Sequence, residues 1–201
     1  GPGLAKAALV AKINGQLRDL NFKINEDCNI ELLTGDNPEG HSVLLHSAAH
    51  LLAQAVKHYW PSAKLTIGPA IDNRFYYDFD LDTTFSDEDL AKLESRMMQL
   101  SKKNFPCVRC ELTRSEAYNK FKEMGEDYKL EILNDIKDDE LITSYTQGDF
   151  IDLCRGPHVP STGSIKYFKL LNTSGAYWRG NENNKMLQRI YGTAFSKKDD
   201  L

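Results

Sequence analysis

The sequence predicts an α+β fold, helices packed on a mainly antiparallel sheet and preceded by a small β-rich unit. Three observations carry that reading. Two long segments, 40–60 and 86–104, repeat apolar residues at helical spacing. The N-terminal 35 residues hold short apolar stretches around Asn14-Gly15, a strong hairpin signal. Beyond residue 124 the chain reads as a succession of short strand-like runs separated by turn residues.

The first segment, "LAKAALVAKINGQLRDLNFKINEDCNIELL", opens with a short helical run and closes on the strand-like "NIELL". It is too short to hold its own core. The polar, turn-rich "TGDNPEG", Thr34 to Gly40, marks the boundary, giving units at 1–35 and 36–201. From Gly40 a helix is expected to run to Trp60, where Pro61 stops it. Leu44, Leu45, Ala48, Leu51, Leu52, Ala55 and Tyr59 share one broad face of it, whereas His46, His50 and Lys57 fall on nearly the opposite side.

Two strands, "KLTIGPAI" and "RFYYDFDL", are expected around Asp72-Asn73, with Phe75 and Tyr77 on one side and Tyr76 and Asp78 on the other. "SDEDLAKLESRMMQLSKKN" reads as a capped helix with Ser86 as N-cap, acids in its first turn and lysines in its last; Met97 and Met98 are expected to fill core gaps. A shorter helix spans about Ser115 to Met124. "YKLEIL", "LITSYTQ", "FIDLC", "IKYFKLL", "GAYWRG" and "MLQRIYGTAF" then read as strands.

Composition narrows the function classes. Of 201 residues, 27% are charged and 41% hydrophobic, the balance of a soluble globular chain. Lys and Arg number 25 against 29 acids. That argues against coating nucleic acid by broad phosphate neutralisation, but not against receiving only the end of a strand. No apolar run is long enough to span a bilayer and "GPGLAKAALV" lacks a signal-peptide core, so no membrane association and a cytoplasmic location are expected. Cys28, Cys107, Cys110 and Cys154 lack framework spacing and are expected to be free thiols. In "CVRC", Cys107 and Cys110 would point to opposite faces of a strand, which is wrong for a shared metal.

The chemistry gathers in two pairs. His46 and His50 stack at i and i+4 on the long helix. Cys154 and His158 bracket "RGP", where a strand runs into a tight turn, with Asp152 beside them. If the pairs converge, two readings fit. Three imidazoles and a thiolate suit a tetrahedral zinc; the same groups suit a metal-free hydrolytic pocket that positions water and shuttles protons. If they do not converge, the histidines are a solvated helix flank and Cys154 is a buried strand end.

"HSAAHLLAQAVKHYWPSAKLTIGPAIDNRFYYDFD", "DLCRGPHVPSTGSIKYFKLLNTSGAYWRG" and "NNKMLQRIYGTAF" together closely resemble the N-terminal editing domain of threonyl-tRNA synthetases. The first segment resembles the latter part of the TGS domain that precedes it. The resemblance implies proofreading: hydrolysis of the serine ester on Ser-tRNA(Thr), releasing serine and tRNA(Thr). It places the site on His46, His50, Cys154 and His158, with Asp152, Lys129 of the "YK" strand, and Tyr77 of "FYYD". Asp152, Lys129 and Tyr77 are also the expected substrate contacts. Related alanyl-tRNA editing proteins use an equivalent set to hold zinc, whereas the threonyl enzymes are described as metal-free, so no metal and no cofactor are expected.

The implied partners are the tRNA(Thr) 3′ end carrying serine and the rest of the synthetase, the segment itself being monomeric. No threonine activation is expected from it. The alternative is a zinc-binding or tRNA-docking module without hydrolytic activity. Lys166, Lys169, Arg179, Lys185 and Arg189 are candidate contacts for the CCA end, each weighed against an exposed sheet-face charge. Arg74 departs from the family's usual glycine before "FYYD", which puts the backbone of that turn in question.

Overall fold

Asn14 and Gly15 both take positive φ, 47° and 83°, as the hairpin turn requires. In the computed structural model, which describes residues 1–201, they join β1 (Ala8–Ile13) to β2 (Gln16–Arg18). β3 (Ile30–Thr34) pairs with the other edge of β1, and a one-turn helix, α1 (Pro2–Ala7), precedes them. This small sheet has no separate core. Leu9, Val10 and Leu33 join the main apolar cluster of the molecule.

α2 (Pro38–Tyr59) begins two residues before the predicted start. Asn37 caps it, its side-chain oxygen accepting from the N–H groups of Glu39 and Gly40, and Pro38 occupies the first turn, where no N–H is missed. Gly40 lies so close to β3 that a Cβ there would run into the Thr34 carbonyl. The predicted apolar face is buried, except that Tyr59, the last residue of the helix, is 40% exposed.

That sheet has the order β10-β11-β6-β4, with β5 also on β6: β4 (Lys64–Leu65), β5 (Ala70–Ile71), β6 (Arg74–Asp80), β10 (Tyr167–Tyr177) and β11 (Met186–Phe195). Phe75, Tyr77 and Phe79 of β6 are fully buried in the core shared with α2, and Tyr76 and Asp78 face the other way. α3 (Asp87–Lys103) starts in a reciprocal cap between Ser86 and Asp89. Met97 fills the core as expected; Met98 is exposed.

A second sheet, β7-β8-β9, closes the other flank of α2: β7 (Val108–Leu112), β8 (Ile142–Gln147) and β9 (Phe150–Leu153). Gln54 of α2 donates to the Gln147 carbonyl at 3.1 Å and accepts from the Gln147 amide at 3.0 Å. Helices α4 (Arg114–Glu123) and α5 (Asp127–Asp135) lie between β7 and β8 in sequence.

The fold is α+β and every strand pairing is antiparallel. Three expectations need correction. The main body holds two antiparallel sheets with α2 between them, rather than the single sheet expected. "YKLEIL" is not a strand but α5. Its Tyr-Lys-Leu-Glu-Ile-Leu alternation mimics period two, yet Lys, Leu and Glu are good helix formers and Tyr128, Lys129 and Leu133 are its buried residues, as helical geometry allows. "IKYFKLL" and "GAYWRG" are not separate strands either: Tyr167–Leu171 and Gly175–Tyr177 belong to one strand, β10, with an irregularity in its pairing between Leu170 and Asn172, and Trp178–Gly180 leave it as a 3-10 turn.

Candidate active site

α2 supplies His46 and His50 from one stripe, now facing the second sheet rather than solvent. β9 alternates, so Asp152 points inward, and the chain then turns sharply. Gly156 makes that turn at φ +68°, and a Cβ there would strike the Tyr145 hydroxyl. The turn folds His158 back beside Cys154. The four groups meet: Cys154 Sγ lies 3.0 Å from His46 Nε2 and 3.3 Å from His158 Nε2. The His158 ring is 4.3 Å from that of His50 and 4.7 Å from that of His46.

One tautomer follows from the contacts. The Gly68 carbonyl lies 3.0 Å from His46 Nδ1 and can only accept, so a neutral His46 carries its proton on Nδ1. Its Nε2 lone pair therefore faces the Cys154 thiol, which also accepts from the Gly156 N–H at 3.2 Å. Gly68 is held against the Tyr77 ring, leaving no room for a Cβ.

A second cluster adjoins the first. Lys129 Nζ stands 2.6 Å from Asp152 Oδ1 and donates to the Thr66 carbonyl at 2.5 Å and to the Tyr77 hydroxyl at 3.2 Å. The Tyr77 hydroxyl in turn donates to Asp152 Oδ2 at 2.6 Å. His50 Nε2 is 3.8 Å from the same oxygen, which links the two clusters. Lys129 and Asp152 are almost wholly buried, where an ion pair persists only if well satisfied.

Burial dominates the electrostatics. It lowers the pKa of His46 and lowers those of His50 and His158 well below the ordinary imidazole value, so all three are neutral at pH 7. It pushes the Cys154 thiol up to about 12 and the Tyr77 hydroxyl well above its usual range, the nearby Asp152 adding to both. Cys154 is thus a thiol, not a ready nucleophile.

The clusters open on a cavity of about 320 Å³ lined by His46, His50, Thr66, Lys129, Asp152 and Cys154 among others. A second cavity, about 360 Å³, shares His46, Pro69, Cys154 and Arg155 with it. Neutral imidazoles, a buried ammonium and a carboxylate beside a small cavity can take a proton from water and stabilise a developing negative charge. The four ligand atoms of His46, His50, Cys154 and His158 lie within 4.8 Å of one another, a set that also suits tetrahedral zinc.

Every residue the sequence singled out for the site is here: His46, His50, Tyr77, Lys129, Asp152, Cys154 and His158. Lys129 comes from a helix rather than a strand. The basic residues considered for a strand end are elsewhere. Lys169 pairs with Glu94, Arg179 with Asp135, Lys185 with Asp80 and Arg189 with Asp78. Arg74 is not strained, since Asp72 takes the positive φ of that turn, and it borders a cavity with Tyr76 and Arg189 on the opposite sheet face. Sequence reasoning missed Arg155, at the junction of the two site cavities, although it stands inside "CRGPH". It also missed Thr66 and Gly68, whose carbonyls orient Lys129 and His46; no side-chain chemistry signals a carbonyl.

Residues 142–191 match the family described as threonyl and alanyl tRNA synthetase second additional domain, and residues 1–34 match the TGS domain. The chain thus joins a TGS domain to the additional domain of these synthetases. It is 55% identical over 201 residues to the threonine–tRNA ligase of Pelobacter propionicus, 55% over 200 residues to that of Clostridium tetani, and 54% over 200 residues to that of a Geobacillus species. The chain is a homologue of threonine–tRNA ligases throughout its length. All of it is covered in these matches, but it spans only 31% of each relative. No helix is long and apolar enough to cross a membrane.

Proposed function

We propose that this chain is the editing part of a threonyl-tRNA synthetase and hydrolyses the ester of Ser-tRNA(Thr), with a TGS-like unit at 1–35 and the deacylase unit at 36–201. One observation carries the reading: His46, His50 and Cys154 of one cluster and Lys129 and Asp152 of the other line one small cavity, with His158 and Tyr77 packed behind them. A synthetase that must prefer threonine to serine gains only about 1–3 kcal/mol from one methyl group, so a second, hydrolytic sieve answers a real deficit.

In this mechanism a water enters beside His46, the least buried of the three imidazoles and the one that borders both cavities. The water's proton passes to the Cys154 sulfur while the Cys154 S–H proton moves to the Nε2 lone pair of His46, as the oxygen attacks the seryl carbonyl. Cys154, protonated and bonded to His46, holds the ring and relays protons rather than attacking. The Lys129 ammonium already faces three acceptors, so it favours the oxyanion through its field rather than through a free N–H. Asp152 is the single carboxylate lining the cavity and is the partner for the seryl α-ammonium. Threonine is refused by overpacking against the cavity wall. The deciding measurement is deacylation of preformed Ser-tRNA(Thr) and Thr-tRNA(Thr) by the wild type and by His46→Ala. Equal loss of both esters contradicts the sieve; binding without hydrolysis makes the chain a docking module.

A zinc-bearing reading has the clustered ligand atoms behind it. The ion would be held by His46, His50, Cys154 and His158, with the thiol deprotonated on binding, and would supply Lewis acidity or structural closure. Elemental analysis of the purified chain decides: stoichiometric zinc whose removal unfolds the domain favours this reading over the metal-free one.

A further inference from the structure

Asp19 directly follows β2 in the N-terminal sheet, within the segment that matches the TGS domain, yet its carboxylate reaches the site. Oδ1 accepts from the His158 backbone N–H at 2.9 Å, and Oδ2 accepts from the Tyr145 hydroxyl at 2.7 Å. The Tyr145 ring stands 4.3 Å from the His158 ring, and its hydroxyl end packs on Gly156. One carboxylate therefore holds both the backbone of residue 158 and the aromatic ring lying against its imidazole. The next N–H, of Val159, donates to Ser47 Oγ on α2 at 3.1 Å. His158 is pinned from two sides, by the helix that carries the other imidazoles and by a unit that carries none.

We propose that Asp19 is a positioning residue of the active site, so that hydrolysis depends on the docking of the N-terminal unit. The inference rests on the hydrolytic reading above. Charge-assisted hydrogen bonds are about twice as strong as neutral ones. His158 Nε2 lies 3.3 Å from the Cys154 sulfur that is bonded to His46, and a misplacement of about 1 Å in such a site can cost about a hundredfold in rate. Leu17 of the same unit lines the second cavity beside His46 and Cys154, so the contact is a surface and not a lone side chain.

The test uses the 201-residue chain with Asp19→Ala, Asp19→Asn and Tyr145→Phe. Three quantities are measured: steady-state deacylation of Ser-tRNA(Thr), thermal unfolding, and the imidazole NMR signals. Asp19→Ala is expected to lower kcat roughly 10- to 100-fold with KM nearly unchanged. The His158 signals should move while those of His41 and His58, outside the site, stay. Asp19→Asn keeps an acceptor for the His158 N–H and should recover most of the rate. Wild-type kcat with unmoved His158 signals overturns the proposal, as does a loss that merely tracks the unfolded fraction and is not rescued by Asn. If Asp19→Ala does not fold, Asp19→Asn and Tyr145→Phe decide on the same readouts. A wild-type chain that leaves Ser-tRNA(Thr) intact removes the hydrolytic reading instead, and the NMR comparison still decides whether Asp19 places His158.

Discussion

Tyr76 and Tyr77 are neighbours on β6, and each joins an aspartate and a cation, but on opposite faces of the sheet. On the outer face Arg189 grips Asp78 through two hydrogen bonds of 2.7 and 2.8 Å, and its guanidinium lies 3.7 Å above the Tyr76 ring. Asp78 holds the guanidinium even more firmly protonated than usual. On the inner face Lys129, Asp152 and Tyr77 form the corresponding trio without solvent, beside three neutral imidazoles and a cavity. The outer trio is a closed clamp in which planar donors match planar acceptors. Both trios border a cavity, but only the inner one adjoins three neutral imidazoles that can exchange protons. Residue types alone do not mark the reactive trio; burial next to titratable neighbours does.

That contrast can be broken most sharply at Lys129. Lys129→Ala leaves a buried, unpaired Asp152 and should cost about 3–5 kcal/mol of stability, read from denaturant unfolding, together with loss of deacylation. A variant that unfolds like the wild type would show that the inner trio is no more demanding than a surface pair. His46→Ala should lower the deacylation rate by about 10²–10⁴-fold, the usual span for a general base, while its melting temperature falls little. Arg189→Ala, on the outer face, should cost about 1–3 kcal/mol through the stranded Asp78 carboxylate.

Acid should separate the faces further. The three site imidazoles are held neutral when folded but titrate near the ordinary value when unfolded, so the unfolded state binds more protons. Stability should fall as pH drops below about 6.5, each imidazole contributing up to about 1.4 kcal/mol per pH unit. Chemical denaturation across pH 5–8 checks this, and a flat profile would mean that the imidazoles are already solvated. The smallest effect is expected at Arg74, which lies outside the site cavity: Arg74→Gly should leave the deacylation rate unchanged and cost about 0.5–1 kcal/mol from strand entropy.

Much of this was legible in the sequence because helical and turn signals are local. The i, i+4 spacing of His46 and His50, the Ser86 cap and the Asn14-Gly15 turn each follow from a few adjacent residues. Convergence of the two motif pairs was legible only through resemblance, since no local rule joins His50 to Cys154. What escaped was tertiary. The split into two sheets depends on which strands find each other across long loops. Lys129 was placed on the wrong element because alternating and helical patterns coincide over six residues. Asp19 gave no signal at all, its role being set by where a separate sheet lands.

The close seat of Gly40 against the Thr34 carbonyl gives α2 a fixed fulcrum instead of a flexible joint. His46 stands about 9 Å up the shaft from that point, so a lean of some ten degrees would swing its ring about 1.6 Å. Such a swing would take Nε2 out of reach of the sulfur, and the molecule would behave as a lever whose short arm is the leading sheet.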